Sequence, residues 1–140
     1  IPYYNLKTFT EMEAARLSMM NNYRKGWALR YLREARAELT AAQKTPYMAS
    51  SLILEALRKA QAAIYYSLGE PAFIASIVRE TFYTKQVVED PILKFLVEIE
   101  QTIQQIAQIP RSDSGKVMEQ VNDLVQLASE IVELFTGESA

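Results

Sequence analysis

The sequence predicts an all-α protein, an up-and-down antiparallel bundle of about five helices with a long first helix. Three observations lead there. Apolar residues recur at three- and four-residue steps through most of the chain. No stretch alternates apolar and polar residues with β-branched enrichment. The prolines and glycines fall mainly as punctuation between periodic segments. The breaks lie at Pro46, Gly69-Glu70-Pro71, Asp90-Pro91, Pro110 with Ser112-Asp113-Ser114-Gly115, and Gly137. They leave five segments with short connectors, which favour antiparallel neighbours. At 140 residues the chain is expected to form one domain, 1–140.

The first helix is expected from near Thr10, where Thr10-x-x-Glu13 forms a capping box, with Thr8-x-x-Glu11 as a competing start, and to run to about Lys44. Its apolar stripe reads Met20, Tyr23, Trp27 and Tyr31, continued by Ala28, Leu32, Ala35, Leu39 and Ala42. Gly26 costs about 1 kcal/mol inside a helix, so it should mark a bend or a close-packing point. The second helix, about Tyr47 to Leu68, carries Met48, Leu52, Ile53, Ala56, Leu57, Ala60 and Ile64 and stops at Gly69 with Pro71 beyond.

The third helix is expected over about Ala72 to Glu89, ending before Asp90-Pro91 because a residue preceding proline is pushed out of the α region. The fourth starts with Pro91 at its first position, and its seam is Ile92, Leu96, Ile99, Ile103 and Ile106. The fifth, with Ser114 as N-cap, has the seam Val117, Val121, Leu124, Ala128, Ile131 and Phe135.

A first helix of this length reaches about 52 Å against roughly 27–33 Å for the others. Either it bends at Gly26, or residues 1–20 project as an arm and pack on a second subunit. Dimerisation through the arm is the favoured expectation, with Met12, Met19, Met20 and Tyr23 as contacts.

Composition removes much chemistry. The chain has no cysteine and no histidine, which excludes disulfides, zinc ribbons, thiol catalysis, Ser-His triads and Glu-x-x-His di-iron sites. The four isolated glycines form no phosphate-binding loop, and no serine is followed by lysine three residues on. Glu119/Asp123 and Glu130/Glu133 lie one turn apart but fit solvated helix faces, and Glu98 and Glu100 do not share a face. No catalytic residue, cofactor or metal is therefore assigned. No run of 18 apolar residues and no secretory signal pattern occurs, so a cytoplasmic protein with no membrane partner is expected.

Charge is unevenly placed. Residues 1–59 hold ten Lys/Arg against five Asp/Glu, and residues 60–140 hold five against twelve. Arg30, Arg33, Arg58 and Lys59 belong to a basic set interleaved with tyrosines and the single tryptophan, a pattern suited to RNA or a nucleotide. Against that reading, Glu34 and Glu38 offer opposite charges one turn away, and the pI near 5.3 is low for a general nucleic-acid binder.

Trp27 through Pro71 resembles HEPN domains (higher eukaryotes and prokaryotes nucleotide-binding). The matching residues are Tyr31-Leu32-Arg33-Glu34-Ala35, Leu39, Ala42, Tyr47, Glu55-Ala56-Leu57-Arg58-Lys59-Ala60 and Ala63. The resemblance implies a bundle of four or five helices, frequent homodimers, a nucleotidyltransferase-like partner protein and, in active members, an RNase using Arg-x(4–6)-His. With no histidine here, and Arg79 followed at those distances by Thr84, Lys85 and Gln86, the nuclease chemistry does not transfer. The expectation is a non-catalytic, homodimeric interaction or assembly module, with an RNA- or nucleotide-binding accessory of the HEPN type as the alternative.

Overall fold

A computed structural model describes the backbone of residues 6–108 and 114–140, and the side chains of 21–108 and 115–140. Five helices follow in order: α1 Leu6–Lys44, α2 Ala49–Leu68, α3 Pro71–Thr84, α4 Pro91–Gln108 and α5 Ser114–Thr136, with a single 3-10 turn, Pro46–Met48, between α1 and α2. There is no strand among the described residues, so the all-α bundle and the long first helix are both present.

Helix α2 is the hub. It packs against all four other helices, and Ile53, Ala56, Leu57, Ala60, Ala63 and Ile64 are fully buried. Each large aliphatic side chain taken out of water there contributes about 1.5–3 kcal/mol. The most extensive contact is α1 with α2. Alanines recur every seven residues on both partners, Ala28, Ala35, Ala42 and then Ala49, Ala56, Ala63, and all six are buried. Without larger side chains at those positions the two axes can approach closely, and Leu32, Leu39, Ile53 and Leu57 fill the layers between them.

Cross-contacts give the directions. Tyr31 stacks on Tyr66 and Glu38 bonds Lys59, so α1 and α2 are antiparallel. Glu100 pairs with Gln61 while Ile92 lies near Leu68, so α4 opposes α2. Lys25 meets Glu138 and Arg36 meets Ser129, so α5 opposes α1. Helix α3 follows the same direction as α4, with Ile74 to Val78 beside Ile92 to Leu96 and Thr81 to Gln86 beside Val97 to Gln108. The chain returns between them through residues 85–90, which are not helical, so α3 and α4 depart from the expected up-and-down antiparallel order.

That return corrects the expected end of α3. The helix stops at Thr84, short of Glu89, and Lys85 takes a left-handed conformation with φ 52°. Val87 and Val88 follow, β-branched residues whose stiff side chains suit extended backbone. Helix α4 does start on Pro91, and Asp90 caps it: its carboxylate accepts the backbone N–H of Ile92 at 2.9 Å and of Leu93 at 3.0 Å.

The predicted seams lie largely in the core. Leu96, Ile99 and Ile103 of α4 and Val121, Leu124 and Ala128 of α5 are buried. Three expectations fail. Met48 stands in the 3-10 turn, ahead of α2, and is exposed; Phe135, one residue before the end of α5, is half exposed; Tyr23 is 65% exposed. Helix α1 is already helical at Leu6, ahead of the expected start near Thr10, and runs unbroken through Gly26. A methyl group added at Gly26 would meet nothing within 4 Å, so it is no close-packing point. The expected caps at Thr10, Thr8 and Ser114 lie outside the described side chains.

Candidate interaction surfaces

Aromatic residues line one edge of the α1–α2 pair. Tyr31 and Trp27 from α1 stack on Tyr66 from α2, with ring centroids 5.6 and 6.3 Å apart, and Tyr23 meets the edge of Trp27 at 6.3 Å. These separations fall in the range where aromatic pairs add about 0.5–1.5 kcal/mol beyond burial. Burial raises the Tyr66 phenol above its usual value, and the neighbouring Tyr31 and Tyr23 add to that.

The basic residues singled out from sequence divide into two pairs. The Arg30 guanidinium lies 4.9 Å from the centre of the Trp27 ring and 3.4 Å from Glu34. Lys59 donates to Glu38 and lies 3.7 Å from Glu34, so Arg30, Glu34, Lys59 and Glu38 form one alternating chain of charge across α1 and α2. The hydrogen bond to Glu38 raises the Lys59 ammonium above its usual value, outweighing the opposing effect of burial, and Glu34 and Glu55 contribute in the same direction. Arg33 and Arg58 are exposed and have no ion-pair partner among the described residues. Arg30 and Lys59 thus meet through Glu34, while Arg33 and Arg58 stay apart from that network.

The end of the bundle where α2 stops carries two depressions. One is a polar cleft of about 360 Å³ between α1, α2 and α5, whose cations are already engaged: Arg24 donates to Asn21 at 2.6 Å and Lys25 pairs with Glu138 at 3.0 Å. The other is an apolar groove of about 380 Å³, formed by Leu68, Ile74, Ile77, Leu93, Leu96 and Phe135 and bordered by Asp90. Sequence reasoning missed this groove. Ile74, Ile77 and Val78 have the i, i+3, i+4 spacing of an ordinary core face, so the sequence offered no signal that separates a groove from a covered contact.

The same end sets a level for α1. Gly69 lies beside Arg24, and Glu138 pairs with Lys25, so both α2 and α5 finish opposite residues 24 and 25. The eighteen residues from Leu6 to Tyr23 carry α1 a further rise of about 27 Å. Of the four expected dimer contacts, the side chains of Met12, Met19 and Met20 lie outside the described residues, and Tyr23 is exposed.

The carboxylate pairs do not converge. Glu119, Asp123, Glu130 and Glu133 are exposed on α5, and Glu100 is held by Gln61 at 2.7 Å and Gln104 at 3.3 Å. Among the described residues no three acidic side chains come together as metal ligands, and no helix is long and apolar enough to cross a membrane. No family model matches the chain, and no curated protein or solved structure matches it.

Proposed function

We propose that the chain is a non-catalytic helical assembly module that forms a homodimer through the N-terminal part of α1. The supporting observation is the mismatch in level at one end of the bundle. Helices α2 and α5 finish opposite Arg24 and Lys25, and α1 continues beyond them as helix to Leu6. A single helix of that length is marginal in water unless its apolar residues are covered. The arm contributes Leu6, Phe9, Met12, Leu17, Met19 and Met20, and exposed Tyr23 stands at its base. A second copy is the economical cover, because a two-fold arrangement buries the same segment of both chains. Light scattering on the full chain and on a variant lacking residues 1–20 tests this: the full chain should be a dimer and the shortened one a folded monomer. A monomeric full chain removes the proposal.

The exposed pair Arg33 and Arg58 supports a second reading, an RNA- or nucleotide-binding accessory of the HEPN type working beside a nucleotidyltransferase-like partner. It is the weaker one, because Lys59 and Arg30 are already paired with acids. Single-stranded RNA should then bind with an affinity that falls as salt rises and drops further in Arg33→Ala and Arg58→Ala. Binding that ignores salt, or none, disposes of it.

A further inference from the structure

We propose that the apolar groove at the end of the bundle seats the α1 arm of a second copy, each chain laying its arm in the other's groove. This deepens the dimer reading and rests on it. Position is the first reason. Leu68, Phe135 and Ile92, which line the groove, belong to the end of the bundle opposite Arg24, and the arm leaves from that same end. Two copies facing each other there, related by a two-fold axis, bring each arm alongside the other's groove and close the assembly at two chains.

Continuity is the second reason. Helix α1 is unbroken from Leu6 to Lys44, so the arm has no hinge with which to turn back into the groove of its own bundle. The groove is left for another chain's arm.

Chemistry is the third. The lining is aliphatic apart from Phe135 and the bordering Asp90, and therefore suits an apolar helix face. Phe9, Met12 and Met19 share one face of the arm by their spacing, and methionine's flexible thioether adapts to irregular grooves. Glu70, Glu89 and Asp90 stand exposed at the turns beside the groove, with no ion-pair partner among the described residues; of the arm's four charges, Lys7, Glu11, Glu13 and Arg16, it is Arg16 whose spacing places it on the same helix face as Phe9, Met12 and Met19.

The absence of cysteine makes the test clean. Met12→Cys and Phe135→Cys are prepared as separate single variants of the full chain, mixed, and treated with a short bis-maleimide. The proposal expects a covalent pair joining one variant to the other. Cross-linking of the Met12→Cys variant only to itself would show arm against arm, overturning the groove as the seat while leaving the dimer intact. A monomer by light scattering with no cross-linked product overturns both. A second measurement does not use cysteine: Phe135→Glu should weaken dimerisation by about tenfold or more while helicity stays close to the parent's. A folded Phe135→Glu variant with an unchanged dimer dissociation constant contradicts the groove.

Discussion

Lys25 Nζ lies 3.0 Å from Glu138 Oε1, and this pair sets the end of α5 opposite the middle of α1. Among the described residues, the buried positions of α1 lie on the C-terminal side of that level, from Ala28 to Ala42. One part of the helix is thus committed to its own core, and the part from Leu6 to Tyr23 continues past the ends of α2 and α5.

The alanine ladder between α1 and α2 should be intolerant of larger side chains. Ala56 is fully buried on the hub helix, so Ala56→Leu is expected to destabilise by about 1–3 kcal/mol or more through overpacking. Leu57→Ala should cost about 2–5 kcal/mol by leaving a cavity. Urea unfolding of both variants measures this, and losses under about 0.5 kcal/mol would show a loosely packed centre.

Asp90 is expected to act as the start signal of α4. Asp90→Ala removes the acceptor for the N–H groups of Ile92 and Leu93 and should cost about 0.5–2 kcal/mol, whereas Asp90→Asn should retain most of the stability. Equal losses in the two variants would mean that the cap contributes nothing specific.

Lys59 links stability to alkaline pH. Its hydrogen bond to Glu38 raises its pKa above 10.5, so the stabilisation is fully present below 10.5 and is lost as pH rises through the higher folded value. Burial raises the Tyr65 and Tyr66 phenols from 10.0, which also makes the folded chain retain protons that the unfolded chain releases. Unfolding free energy should therefore fall with pH above about 10, and less steeply in Lys59→Met. At neutral pH that variant should lose about 1–3 kcal/mol, because Glu38, one of whose carboxylate oxygens is already buried without a partner, loses its hydrogen-bond donor. Adding Glu38→Gln should recover part of the loss. A pH profile unaffected by Lys59→Met would contradict the assignment.

Periodicity made the core legible, and surfaces stayed hidden where they depend on how helices assemble. The four-and-three spacing of Leu96, Ile99 and Ile103 names the face of α4 that is buried. No such rule distinguishes Phe135 from Ile131 on α5, because its exposure follows from where α5 ends against α2 and α4. The end of α3 was misread for a local reason: Asp90-Pro91 is the stronger stop signal, yet Lys85 adopts the left-handed conformation earlier, and an αL break at a lysine has no sequence mark as plain as glycine. Charge was legible only as pairs. Arg30 with Glu34 could be read from the four-residue spacing, while Lys59 with Glu38 needed the antiparallel register of two helices.

The most direct measurement is the molar mass of the full chain by light scattering at roughly tens of micromolar, beside a variant lacking residues 1–20. The account predicts twice the 15.9 kDa of one chain for the first, and for the second a monomer that melts cooperatively with its helical bundle intact. A full chain that remains at 15.9 kDa, or a shortened chain that remains a dimer, would contradict it.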